Sequence, residues 1–447
     1  MTATLTERLS LLSPEQRARL GTLVAERARA RRAATIPRID RSSGRLPMSY
    51  AQRRLYFLQK LRPDSPAYNT VEAVRVRGPL DLEAVDAALD AVVARHEVLR
   101  TTCSAGGLDG EPELVVVDGT RVRAELVVLP GNGTGNSTGN GTGKGIRPAI
   151  ADAAALFAER AARPFDLDSE PPLRVTLARI AEDDHALLFV VHHIASDAWS
   201  CRLLLREFFD AYAGADLPAL PVQYADFAAW QRTQVRDTDV EYWRDRLAGM
   251  PPVLELPRDR PRPAVRSDQG AEIHLDLDGL VRRRLRAAAA AAGVTPFALL
   301  LTAFGYVLHR HCATDDVVVG TPTSGRDRAE TDRLLGCFVN TVVLRLDLGA
   351  AQSRRDLVRR VWERTLADLD HQRLPFEHLV AELNPDRDLS TGQLVQVMFN
   401  YYPATELAAP PPRLGVTPLD VARSRAKFDL TCTVVDGGEG MRVTLTY

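Results

Sequence analysis

The stretch HALLFVVHHIASDAWSCRLLLREFFDAY, residues 185–212, constrains the fold more than any other. Leu187 to Val191 are apolar at every position, so neither face of that strand can meet water, and such a strand lies inside a covered sheet. His192 and His193 end it. Adjacent strand residues point to opposite sides, so the two imidazoles cannot share one job. After Ile194 and Ala195, Ser196 or Asp197 is suited to cap a helix that continues through SCRLLLREFF. One imidazole therefore lies at a strand end beside a helix N-terminus, a common place for a proton-transferring group. On these residues alone, two core histidines bonded to backbone carbonyls fit as well. A metal site fits poorly, because the two histidines diverge and no third ligand follows at helical spacing. A serine hydrolase fits poorly too, since no GxSxG turn occurs.

The rest of the chain extends this strand–turn–helix into an α/β protein. With 447 residues, one core is not enough, and two lobes are expected. Residues 4–34 read as a helical lead-in, with Ser13-Pro14 as cap and first helical residue. Further helices are predicted over AQRRLYFLQKL after Ser49 and over the amphipathic DLEAVDAALDAVVARHE. Residues 131–145, GNGTGNSTGNGTGKG, read as a flexible surface loop. The Pro-rich, charged run at 250–270 reads as an inter-lobe connection. Beyond it come the strand AEIHLDLD, the helix VRRRLRAAAAAAG, a buried helix around PFALLLTAFGYVLHRH, and strands DDVVVGTP, TVVLRLDL, QVMFNYY and MRVTLTY among helices. The expected division is a lead-in at 1–40, an N-terminal lobe at 41–249, the connection at 250–270, and a C-terminal lobe at 271–447.

Charge excludes some partners. Lys plus Arg number 57 against 58 Asp plus Glu, so there is no basic excess for nucleic acid or anionic lipid. No apolar run reaches the roughly 18 residues of a spanning helix, and the N-terminus lacks a secretory pattern. Five scattered cysteines without a CxxC pair argue against a disulfide framework or a zinc site. The expected compartment is the cytoplasm. There the sequons at Asn132, Asn136 and Asn140 go unused. Gly143-Lys144 lacks the first glycine and the Ser/Thr of a phosphate loop.

HHIASDAW resembles the HHxxxDG signature of nonribosomal peptide synthetase condensation domains. Six more segments match that family's motifs in order. They are SYAQRRL from Ser49, RHEVLRT from Arg95, YADFAAWQ from Tyr224, GCFVNT from Gly336, HQRLPFE from His371, and RDLS from Arg387. Any one would be weak; seven in order across residues 49–399 are specific. The resemblance implies a V-shaped pair of lobes, each like a chloramphenicol acetyltransferase monomer, around a central tunnel. Phosphopantetheine arms of a donor and an acceptor carrier protein enter that tunnel from opposite faces, and the domain itself binds no cofactor and no metal. The resemblance makes His193 the catalytic residue, as proton acceptor, amine-positioning group or stabiliser of the tetrahedral intermediate. A neutral imidazole suits each role. His192 and Asp197 become structural, with Arg326 of TSGRDR as the expected ion-pair partner of Asp197. Ala198, Trp199, Ser200 and Asn340 are expected to line the tunnel. His96 and His371 are expected to serve structure, and His309 and His311, near a helix end, need no special role. An adenylation domain is the expected neighbour and a monomer the expected state.

Two departures stand out. Ala198 occupies the usual glycine position, where it either strains a positive-φ backbone or narrows the tunnel. Thr391-Gly392-Gln393-Leu394 replaces the usual Arg-Asn-Pro-Leu. His192 excludes the heterocyclising relatives, which carry aspartate there, and the flanking motifs look most like domains joining two L-residues. Ester formation or dehydration of a β-hydroxy residue is the second enzymatic alternative. A non-catalytic docking domain is the third, though such relatives typically lose the histidines.

Overall fold

The strand that ends in His192 is the centre of the N-terminal sheet, and every one of its nine residues is buried. The computed structural model describes residues 35–106, 110–129, 146–263, 267–349, 353–383, 394–404, 411–421 and 425–447. The lead-in before residue 35, the Gly/Asn/Thr run at 131–145 and the 387–393 part of the last motif lie outside these residues.

The N-terminal half supplies strands β1 (Arg45–Pro47), β2 (Asn69–Arg77), β3 (Thr101–Ser104), β4 (Glu113–Val116), β5 (Ala124–Val128), β6 (Leu173–Ala181) and β7 (Asp184–His192). Its helices are α1 (Tyr50–Leu61), α2 (Leu82–Arg95), α3 (Ile146–Ala161), α4 (Ala198–Tyr212) and α5 (Tyr224–Arg232). Helix α2 shows why the sequence folds this way. Asp81 caps it by accepting from the Glu83 and Ala84 amides, and Val85, Ala88, Leu89, Val92 and Val93 fall on one buried stripe. That stripe packs on α4. Each large side chain so buried contributes about 1.5–3 kcal/mol.

The C-terminal half adds α6 (Asp237–Leu247), β8 (Glu272–Leu277), α7 (Gly279–Ala292), α8 (Pro296–Cys312), β9 (Asp316–Thr323), β10 (Asn340–Asp347), α9 (Arg354–Asp370) and α10 (Phe376–Leu383). Strands β11 (Val397–Pro403), β12 (Gly415–Pro418), β13 (Leu430–Gly437) and β14 (Gly440–Thr446) complete it. One sheet has the order β12-β2-β7-β6-β5 and the other β10-β9-β11-β13-β14-β8, with a small β1-β4-β3 sheet beside the first. The expected two-lobed α/β fold is therefore the one found.

The division of the chain differs from the expected one. Trp243 and Leu247 of α6 belong to the second core, with Arg246 2.8 Å from Asp368 of α9. The change of lobe thus falls between α5 and α6. Residues 250–263 are irregular, as predicted, but run along the second lobe, where Leu254 is buried. Proline-rich composition marks where a ladder cannot form; core membership is decided by which side chains meet. Two segments of the C-terminal half also cross back. Strand β12 pairs antiparallel with β2, and Leu334, Leu335, Cys337 and Phe338 are buried in the first core. Gly336 makes the second crossing possible, because a Cβ there would sit 1.9 Å from the Tyr224 ring. Helix α8, expected to be buried, hides one face only: Tyr306 and Val307 are about half exposed.

Candidate active site

Strand β7 stops at His192, and His193 opens a short 3₁₀ turn, His193–Ala195, before α4. The two rings part as the strand geometry requires. His192 turns into the core, where its Nδ1 accepts the Ile194 amide at 3.1 Å and its ring meets the edge of Phe165. Burial pushes its pKa down to about 3, with the neighbouring His193 and Lys427 adding to the effect.

His193 faces a cavity instead. Its backbone N–H donates to the Tyr68 carbonyl at 2.8 Å, and its Nδ1 lies 2.5 Å from the Ser196 carbonyl. A carbonyl can only accept, so Nδ1 carries the hydrogen and Nε2 is left with its lone pair for the cavity. Burial, and then the Lys427 cation, lower the His193 pKa to about 4 against the opposing pull of the Ser196 carbonyl and Asp197. The imidazole is neutral near pH 7, with its tautomer fixed.

The turn is held from three sides. Asp197 caps α4 by accepting the Ser200 amide at 2.7 Å, accepts the Phe338 amide at 3.0 Å, and pairs with Arg326 at 3.4 Å. Arg326 is buried, donates to the Leu334 carbonyl and the Ser200 hydroxyl, and lies 4.0 Å over the Phe338 ring. Burial pulls its pKa below the ordinary value, opposed mainly by Asp197. From the first helix, Gln52 donates to the Ile194 carbonyl at 3.1 Å while forming a capping box with Ser49. The Ser49 hydroxyl reaches Tyr224 at 2.9 Å, and Tyr224 donates to the Cys337 carbonyl at 2.6 Å. Four motifs far apart in sequence converge on one turn.

The cavity beside His193 has a volume of about 520 Å³ and is walled by both lobes: Ala198 and Trp199 on one side, Thr323, Met398 and Lys427 on the other. A second cavity, of about 570 Å³, adjoins it along Thr323 and Ser324 and is bounded by Trp230, Asn340 and Gln372. Two expected wall residues have other work. Ser200 is fully buried, donating to the Gly336 carbonyl at 2.8 Å and accepting the Gly336 amide at 3.1 Å. It sits one helical step round from Trp199, which turns it toward the crossing segment rather than the cavity. Asn340 borders only the second cavity, and its carboxamide is fully used: Nδ2 donates to the Gln372 and Leu374 carbonyls and Oδ1 accepts the Phe376 amide. It fastens a turn and has no donor left for a thioester in the His193 cavity. Ala198 is the exposed first residue of α4 and is not among the positive-φ positions, so its methyl strains nothing.

The remaining motif histidines are fastened away from the cavity. His96 lies 2.7 Å from Glu207, and His371 lies 2.7 Å from Asp239 while stacking on Tyr242. His309 turns to the Thr314 carbonyl. Sequence reasoning missed Tyr68, Cys337 and Lys427, all in the cavity wall. Cys337 lies within a quoted motif, with its sulfur 3.6 Å from His193 Nδ1. Lys427 lies outside every motif, so no sequence signal pointed to it. Among the described residues no group of acidic, histidine or cysteine side chains could hold a metal ion, and no single helix is long and apolar enough to cross a membrane.

A family profile described as the condensation domain matches residues 42–447. The chain belongs to the condensation-domain family. This condensation domain is 40% identical over 425 residues to a linear gramicidin synthase protein of Brevibacillus parabrevis, covering 92% of the chain and 8% of that protein. It is 39% identical over 447 residues to phosphinothricin tripeptide synthetase PhsC of Streptomyces viridochromogenes, covering 96% of the chain and 39% of the relative. It therefore spans well under half of either synthetase. The X-domain from teicoplanin biosynthesis has the same fold, with a TM-score of 0.80 at 28% identity over 93% of this chain and 92% of that one.

Proposed function

We propose that this condensation domain forms an amide bond between two carrier-bound building blocks. The acceptor amine attacks the donor thioester carbonyl, and a C–N bond forms. The donor C–S bond breaks, and the donor arm leaves as a thiol. The amine loses one proton and the departing thiolate gains one. His193 Nε2 is the group suited to receive the first. The observation that carries this reading is a neutral imidazole, its Nδ1 pinned by the Ser196 carbonyl and its Nε2 open to a cavity walled by both lobes. The adjoining pair of cavities, about 520 and 570 Å³, supports entry of two arms. Upstream donor and downstream acceptor peptidyl carrier proteins, an adjacent adenylation domain, a cytoplasmic setting and a monomeric domain belong to the same proposal, as does the joining of two L-residues. With Ala198 unstrained, the backbone argument for an altered ester-forming or dehydrating reaction loses its support.

The test is a single-turnover reaction between aminoacyl-loaded donor and acceptor carriers, read by intact mass of the acceptor. Wild type extends the acceptor by one residue, and His193→Ala lowers that rate about 10²-fold or more while still binding the carriers. Product formation by His193→Ala at the wild-type rate would overturn the assignment.

A further inference from the structure

The cavity beside His193 contains more charge than proton transfer needs, and the placement of one cation stands out. Lys427 lies on the short segment between β12 and β13, and its ammonium rests 5.2 Å over the ring of Tyr68, the residue whose carbonyl holds the His193 N–H. This placement is built. Asp268 accepts the Ala426 amide on its own carbonyl at 2.9 Å, and its carboxylate takes Arg425 at 2.7 Å. The same carboxylate takes the hydroxyl of Ser65, three residues before Tyr68. Asp429 is pinned in turn by Arg262 and by the Gln396 carbonyl. Asp268 thus ties the Lys427 segment of one lobe to the Tyr68 loop of the other.

The charges around the imidazole make this cation consequential. The acids facing the cavity are Glu72, Asp197 and Glu377, each of which would favour an imidazolium. Asp197 is matched by Arg326, and Glu377 by Arg54 at 3.4 Å. Arg202 is the remaining cation of the wall, and Tyr68, Tyr401, Tyr402, Cys201 and Cys337 are its other titratable groups. We propose that Lys427, carried across the lobe interface onto the Tyr68 ring, is a positioning residue that extends into mildly acidic pH the range over which His193 stays uncharged with its Nε2 open to a proton. Its effect on His193 runs in that direction, second only to burial. The proposal rests on the reading of His193 as proton acceptor, but its first test does not require turnover.

In the full chain labelled with ring-¹³C histidine, His193 is assigned by the signal missing from His193→Ala and titrated by NMR. Lys427→Met removes the charge and keeps the length, so the His193 midpoint rises by about one pH unit; Lys427→Arg keeps the charge and leaves it near the wild-type value. In single-turnover amide formation, Lys427→Met then loses about twofold in rate near pH 5, with little change at pH 7. A Lys427→Met protein whose His193 titrates as in wild type overturns the proposal, whatever its activity. A shifted midpoint in a domain whose wild type makes no amide leaves the electrostatic role standing and removes the functional reading instead.

Discussion

Replacing Asp197 by alanine should come close to unfolding the N-terminal lobe, and the size of the loss can be worked from its three bonds. The carboxylate caps α4 through the Ser200 amide, which is worth about 1 kcal/mol. It satisfies the buried Phe338 amide, and an orphaned N–H costs about 1–3 kcal/mol. It also compensates Arg326, and stranding a buried charge costs about 3–5 kcal/mol. The pair is long at 3.4 Å, and the guanidinium keeps the Leu334 carbonyl, the Ser200 hydroxyl and the Phe338 ring, so the low end of each range applies. Together these give about 5 kcal/mol, comparable to the whole stability of many domains. The assay is urea unfolding followed by tryptophan fluorescence, because Trp199 donates to the Asp332 carbonyl inside the same node. Asp197→Ala should lower the midpoint sharply. Asp197→Ala combined with Arg326→Met should recover part of the loss, since an apolar replacement removes the stranded charge. An Asp197→Ala midpoint within about 1 kcal/mol of wild type, with no recovery in the double variant, would show that Arg326 needs no counter-charge and refute the reasoning.

Two further expectations follow from the same geometry. His192 and His193 are held neutral, with pKa values lowered to about 3 and about 4 from an ordinary 6.5, so the unfolded chain binds more protons between those values and 6.5. Stability should therefore fall as pH drops from about 6.5 toward 4; His192→Asn, which can still accept the Ile194 amide, should flatten that slope, and an unchanged slope would argue that His192 is charged in the fold. Ala198→Gly should change unfolding by less than about 1 kcal/mol, since the residue opens α4 at negative φ, and should leave single-turnover amide formation within about threefold of wild type. A larger gain in rate would show that the methyl obstructs the cavity.

Several elements, and the placement of His193 at a strand end beside a helix, were legible in the order of residues alone. An unbroken apolar run specifies a strand buried on both faces, spacing at 3.6 residues specifies α2, and Ser196-Asp197 before a helical run specifies a cap for α4, which the fold gives to Asp197. The divergence of His192 and His193 was legible because a strand offers only two sides. These are local properties, fixed by neighbours in the chain. Everything that depends on which distant atoms meet had to wait for the folded molecule. Composition placed the lobe boundary at the proline-rich run, yet Trp243 packs with the second core, and β12 and residues 334–338 return to the first. Ser200 read as a cavity residue from its motif but is turned to Gly336, and Asn340 does line the second cavity, though its polar atoms are consumed by the backbone at 372–376. Lys427 carried no signal at all, because its role comes from Asp268 holding the Ser65 loop and the Arg425 segment, from opposite ends of the chain, against each other. Periodicity reports which face of an element is buried; it has no means of reporting what that face is buried against.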